Sequence, residues 1–371
     1  MGNKKFILVI DGGGAWGVLP AKFCQTLEDS LGGEDFRLKD KIDLFVGTST
    51  GALICSALNI GEGGETLGLK AGEVYKKYET LISTAFTDNP NLDLFEGIVR
   101  DILKVYLDPQ FTREGINKAL QDVFPNTDFG TYNLATTLEG WHKPLAVVTY
   151  RLNNENALKV FKSWRDEDKD VKIIDALTAS SSVPSVHPPH QISNQFYADG
   201  GLLAENPILI AVQCVYEILD SKLKGSDIEK TPGGVSLKKK QIFEEGDEVH
   251  FISISTGSED IIFDFNDFDK AGQLYWAKRI AKVFLRGQHS MNNMLYNVLE
   301  NMADKKRLSF KFHRFDYNIQ KHLNDFYDDK NDRIKKGTEK KWKLLDEAAE
   351  AWSNELETKD EFRTLVNLMK D

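Results

Sequence analysis

The stretch that most constrains this chain is Gly47-Thr48-Ser49-Thr50-Gly51, set between the apolar run Ile42–Val46 and the helix-like run Ala52–Ile60. A strand that turns abruptly into a helix with a serine at the turn is the G-x-S-x-G elbow. Glycines two positions before and after the serine let strand and helix approach closely, and the hydroxyl is held out toward a reactant. Because a helix starts there, free backbone N–H groups and the positive end of its dipole face whatever the serine attacks. The pentapeptide alone is weak, since short runs of small residues recur by chance.

The rest of the chain reads as strands and helices in alternation. Phe6–Ile10 is wholly apolar, as in a strand buried on both faces, and it ends at Asp11-Gly12-Gly13-Gly14-Ala15-Trp16-Gly17. Three successive glycines after such a strand mean that the backbone itself approaches something. A helix follows, with Pro20 in its first turn and Gly32-Gly33 at its end. Strand, glycine loop, helix, strand, elbow, helix predicts an α/β fold built on a parallel sheet.

Two nucleotide readings compete for the glycine loop. Gly12-x-Gly14-x-x-Gly17 matches the dinucleotide fingerprint, but the second strand ends in the serine turn, where that site needs an acid for the ribose. A phosphotransferase loop would use Asp11-Gly12-Gly13-Gly14 on phosphates and a metal, and predicts a hairpin after the loop. Residues 17 to 31 look helical instead.

Farther along, 61–130 reads as mainly helical, with segments at Leu92–Leu107 and Thr112–Phe124, and 125–140 as loop. Leu145–Thr149 and Leu158–Phe161 read as strands. A small-residue run, Ala179-Ser-Ser-Ser-Val-Pro184, precedes His187-Pro-Pro-His190 and then Phe196-Tyr-Ala-Asp199-Gly200-Gly201. Asp199 thus ends a strand on a tight turn. In a parallel sheet, strand ends meet along one edge, so this acid and the serine are expected to face each other there. On its own Asp199 is an ordinary turn aspartate; beside Ser49 it becomes a candidate base. Asn206-Pro207 caps the next helix.

Residues 221–247 read as a charged surface loop and Val249–Ile254 as a strand. Ala271–Arg286 reads as a helix with a basic face, either core-packed or lying on an anionic membrane. Leu308, Phe310 and Phe312 alternate as in a strand. Thr338 caps a last helix striped by Trp342, Leu345, Ala349, Trp352 and Leu356.

Composition narrows the function. A net charge of −10 argues against binding of nucleic-acid polymers. Cys24, Cys55 and Cys214 are odd in number and lie in apolar helical stretches, which fits reduced buried thiols rather than disulfides or zinc ligands. The Phe6–Ile10 run is too short for a secretory signal and no stretch reaches membrane-spanning length, so a cytoplasmic setting is expected. No calcium-loop spacing is present, and no cofactor is expected.

Taken together, Asp11–Gly17, Gly47–Gly51, Ala179–Pro184 with Pro188-Pro189, and Asp199-Gly200-Gly201 with Asn206-Pro207 resemble the patatin-like phospholipase family over about residues 4 to 260, and bacterial-type members in particular. The resemblance implies a three-layer α/β sandwich with a mostly parallel sheet, helices on both faces and extra C-terminal helices. A catalytic domain at 1–320 would carry a helical extension at 321–371. It implies Ser49 as nucleophile, Asp199 as its base, and Gly12, Gly13 and Gly14 as oxyanion hole, with Gly17, Gly47, Gly51, Gly200 and Gly201 shaping the turns. It further implies a phospholipid or other acyl-ester substrate, contact with a membrane surface during catalysis, and compatibility with oligomers. Antiviral-defence effectors among similar bacterial proteins, some switched by a nucleotide, raise the expectation of a small nucleotide activator. Trp16 stands where the family usually has a cation, offering apolar surface to an acyl chain or packing on the first helix.

Three alternatives remain open at this level: a Ser–Asp–His triad completed by His250, His289 or His313; the phosphotransferase; and a non-catalytic lipid-binding or storage protein.

Overall fold

The computed structural model describes residues 2–32, 35–60, 68–85, 143–153, 155–168, 170–184, 187–221, 242–258, 307–320 and 339–371, with residue 322 and short stretches between 287 and 301. The expected helices at Leu92–Leu107, Thr112–Phe124 and Ala271–Arg286, the loop at 125–140, most of the charged loop, His289 and Thr338 lie outside the described residues.

The apolar runs form a single sheet. Strands β1 (Lys4–Ile10), β2 (Leu44–Thr48), β3 (Leu145–Arg151), β4 (Leu158–Lys162), β5 (His190–Ile192), β6 (Gln195–Asp199), β7 (Asp247–Ile254) and β8 (Leu308–Phe315) are ordered β5-β6-β3-β2-β1-β7-β8, with β4 also paired to β3. The central pairings β3–β2–β1–β7–β8 are all parallel; β4, β5 and β6 add antiparallel pairings at one side.

The continuous hydrophobicity of β1 has a simple cause, because successive side chains of a strand face opposite layers. Phe6, Leu8 and Ile10 enter one buried cluster, shared with helices α1 (Val18–Leu31), α2 (Thr50–Asn59) and α3 (Ala71–Ala85). Ile7 and Val9 enter the other, against the helix running Ile208–Ser221. The result is helices, sheet, helices: three layers.

On the α1 side the C-terminal helices, 339–356 and 360–370, complete the core. Phe23 of α1 packs against Trp352 and Phe362 at ring separations of 5.6 Å each, and Thr26 hydrogen-bonds to Ser353 at 2.7 Å. The predicted stripe accounts for this contact: Leu345, Ala349, Trp352 and Leu356 are buried. All three cysteines are buried, unpaired thiols. Among the described residues no helix is long and apolar enough to cross a membrane.

Candidate active site

The elbow forms where its spacing predicts. Ser49 follows β2 and precedes α2, and its backbone sits at φ 52°, ψ −124°, a conformation that L-residues avoid unless their surroundings impose it. Backbone crowds the two glycines that flank it. A Cβ at Gly51 would overlap the carbonyl of Ile10, and one at Gly47 would overlap the start of α2, so only glycines let helix and strand close on the serine.

A second set of contacts arises from the serine run. Helix α4 (Ile173–Ser180) ends beside the elbow, and Ser180 Oγ accepts the Ser49 N–H at 2.8 Å while donating to the Val148 carbonyl at 2.7 Å. Two residues on, the Ser182 carbonyl accepts the Asp199 N–H at 2.9 Å. One short stretch thus positions both candidate dyad residues. Sequence reading singled out this run without giving it a role; its signal was small hydroxyl residues ahead of a proline.

Asp199 reaches the elbow by a different route from the one the sequence suggests. Its strand, β6, is antiparallel to β3, not parallel. Strand β4 pairs with Ala146–Tyr150 along one edge of β3, so β2 and β6 share the other edge end to end. β2 occupies it as far as Val148, opposite Thr48, and β6 begins at Thr149, opposite Asp199. The strand that departs at Ser49 is therefore replaced at once by the strand that carries the acid.

The Asp199 side chain is buried. Its Oδ1 accepts the Gly201 N–H at 2.7 Å. Its Oδ2 has no hydrogen bond of full geometry among the described residues, although the Ser49 side chain lies close enough to favour the charged form. Burial outweighs both contacts and pushes the carboxyl up to about 6. The group is thus a buried carboxyl with one oxygen that has no hydrogen bond of full geometry among the described residues.

The glycine loop lies against the candidate nucleophile: a Cβ on Gly12 would stand 3.5 Å from that of Ser49. Of the three expected donors, Gly12 differs, because its N–H is committed to the Glu205 carbonyl at 2.9 Å and so serves to anchor the loop. The amides of Gly13 and Gly14 make no hydrogen bond among the described residues. The Glu205 carboxyl, on the turn after helix α5 (Gly201–Ala204), is pushed up to about 8 by burial and by the charges of Asp11 and Asp199, against the pull of Arg314. Sequence reading passed over this acid.

Asp11 does not face a ligand. Both its oxygens are held by Arg314 of β8, at 3.0 and 2.6 Å, and a helix rather than a hairpin follows the loop, which removes both supports of the phosphotransferase reading. Trp16 is buried in the core beneath the loop.

Neither His250 nor His313 completes a triad; the third candidate, His289, lies outside the described residues. His250 pairs with Phe6, four residues from the Ile10 end of the sheet, and hydrogen-bonds to His313 and Glu248; burial and His250 push His313 down to about 4. His190 binds Asp175 at 3.0 Å. Among the described residues no histidine hydrogen-bonds to Asp199. Nor does any group of three or more metal-ligating side chains occur among them.

Comparison with known proteins agrees with this geometry. Residues 8–212 match the model of the family described as patatin-like phospholipase. The chain is 25% identical to patatin-like protein 1 of Arabidopsis thaliana over 76% of its own length and 63% of that protein. It is 25% identical to a cGAMP-activated phospholipase of Vibrio cholerae, covering 58% of each. To a probable lipid hydrolase of Invertebrate iridescent virus 6 it is 28% identical, covering 56% of this chain and 63% of the other. The chain therefore spans 58–63% of the length of these relatives. Since the family match takes in the glycine loop, the elbow and the Asp199 turn, over more than half of its length, the chain belongs to the patatin-like phospholipase family.

Proposed function

We propose that the chain is a lipid acyl hydrolase that cleaves fatty-acyl esters through an acyl-serine on Ser49. The observation that carries this reading is the buried Asp199 carboxylate, with one oxygen uncommitted, beside a serine in a strained elbow. Ser49 Oγ attacks the ester carbonyl carbon and its proton passes to Asp199. The carbonyl oxygen, now negative, takes hydrogen bonds from the amides of Gly13 and Gly14, which have no acceptor among the described residues, each such donor worth about a hundredfold or more in rate. Collapse expels the alcohol or lysolipid, which takes the proton from Asp199. Water then gives a proton to Asp199, attacks the acyl-serine, and releases the fatty acid as Ser49 regains its proton. No metal or cofactor enters these steps.

The names of the relatives support a lipid substrate, and those named as cGAMP-activated support a nucleotide trigger as part of the same proposal. Membrane contact during catalysis belongs to it as well, because a phospholipid substrate sits in a bilayer. The test is fatty-acid release from mixed phospholipid vesicles in EDTA, with and without cGAMP, by wild type, Ser49→Ala and Asp199→Asn. Release by wild type and a loss of at least a thousandfold in both variants is expected. Wild-type release that persists in Ser49→Ala refutes the acyl-serine. No release under any condition, with the chain folded, favours the non-catalytic lipid-binding protein.

A further inference from the structure

The glycine loop carries an arrangement that the hydrolase reading does not by itself require. In a trans peptide the C=O and the following N–H point in opposite directions, and none of the described peptides is cis. Whatever holds a carbonyl of the loop therefore aims the next amide. The Gly12 carbonyl accepts the Thr256 hydroxyl, just beyond β7; this directs the Gly13 N–H away from Thr256. The Gly13 carbonyl accepts the Trp16 N–H at 3.2 Å, which fixes the Gly14 N–H. The Gly14 carbonyl accepts the Tyr78 hydroxyl of α3 at 2.6 Å.

Both hydroxyls are buried and tightly placed. The Tyr78 oxygen has one proton, which goes to Gly14, so the Thr50 hydroxyl must donate to it; the Gly17 amide is its further donor. It thereby joins both ends of the turn Gly14–Gly17 to the residue next to the nucleophile. A Cβ at Gly17 would overlap this oxygen, and a Cβ at Gly13 would overlap the Thr256 side chain, so the contacts are closed around both groups. Gly14 itself sits at φ +55° with open space where a side chain would be, so no bulk of its own resists rotation of its peptides.

We propose that Thr256 and Tyr78 are positioning residues for the oxyanion-binding loop: the Thr256 hydroxyl holds the Gly12 carbonyl and thus aims the Gly13 amide toward Ser49, and the Tyr78 hydroxyl holds the Gly14–Ala15 peptide and thereby fixes the turn that follows the Gly14 amide. This rests on the hydrolase reading. Neither residue touches the reacting atoms. Their removal lowers transition-state binding and leaves ground-state binding of the ester unchanged.

The test uses Thr256→Val and Tyr78→Phe, which keep shape and lose the hydroxyl, and Tyr75→Phe as control. Tyr75 lies on the same helix, but its hydroxyl bonds to Asp346 in the C-terminal part of the chain. Turnover of a soluble p-nitrophenyl acyl ester gives kcat and KM; capture of Ser49 by a fluorophosphonate, whose phosphoryl oxygen gains charge in the same place, gives an independent rate. Expected are a fall of about ten- to a hundredfold in kcat and in the capture rate for both variants, with KM within about twofold. Tyr75→Phe is expected to lower Tm without changing kcat. Wild-type kcat and capture rate in both variants would overturn the proposal alone, as would losses in Tyr75→Phe equal to theirs. A wild-type chain that neither turns over the ester nor is captured overturns the hydrolase reading and this proposal together. Should one variant not fold, the other decides.

Discussion

At the residue scale, two carboxyls with raised pKa values, those of Asp199 and Glu205, set the expected response to pH. An aspartate with an ordinary pKa is a weak base for a serine hydroxyl; burial brings Asp199 to about 6, nearer the range where a base works at neutral pH. Only the ionised form accepts a proton. The rate kcat/KM is therefore expected to rise with pH through about 6 and then level, in assays on the soluble ester. A profile flat from pH 5 to 8 would contradict Asp199 as the base. Glu205 affects stability with the opposite sign. Between its ordinary 4.5 and about 8 the folded chain keeps a proton that the unfolded chain has released, so the stabilisation present below 4.5 is lost as pH rises through 8. Glu205→Gln mimics the protonated group. Its Tm is expected to match that of wild type near pH 4 and exceed it by several degrees above pH 8; parallel curves would place Glu205 in solvent. Nothing in the sequence marked this acid, because its shift comes first from burial and then from the charges of Asp11 and Asp199, all imposed by folding.

At the element scale, the elbow was legible because its cause is local. Apolar strand, small residues and helix lie within twenty positions, and the close approach that requires Gly47 is to Gly51 and Ala52 just ahead of it; only the approach at Gly51, to Ile10 of β1, is long-range. Gly51→Ala is expected to force α2 off β1, at a cost of about 1–3 kcal/mol in urea unfolding, with loss of turnover beyond that expected from stability. The direction of β6 was not legible. Its apolar and aromatic pattern fits either direction; in the fold β2 leaves β3 at Val148 and vacates an edge that β6 takes antiparallel to β3. The serine run of α4 was visible as a motif, but its two tethers, to the Ser49 and Asp199 amides, exist only once the sheet has brought those turns together. Ser180→Ala is expected to leave the fold intact and reduce kcat about tenfold, through the lost acceptor for the Ser49 N–H.

At the scale of the whole molecule, the site is supported by residues far away in the chain. Arg314 reaches back to Asp11 from the last strand and fixes the start of the glycine loop. Removing one partner leaves the other buried and uncompensated. Asp11→Asn is thus expected to cost about 3–5 kcal/mol, seen as a lower urea midpoint, with no binding of Mg-ATP by either form in calorimetry. The C-terminal helices matter in the same way: Trp352 packs on Phe23 and Tyr317 beneath the loop's own helix. By itself the sequence determined the alternation of strands and helices, the elbow, the candidate nucleophile and acid, and the apolar stripe of the last long helix, since each depends on residues close together or on a repeated spacing. Only the tertiary structure decided which way β6 runs, that the Gly12 amide is committed to Glu205, how Asp11 is neutralised and which hydroxyls hold the loop. The contacts that hold the loop join residues between 64 and 303 positions apart, from Tyr78 and Gly14 to Arg314 and Asp11, and no local pattern encodes a contact whose partner is chosen by the packing of the sheet.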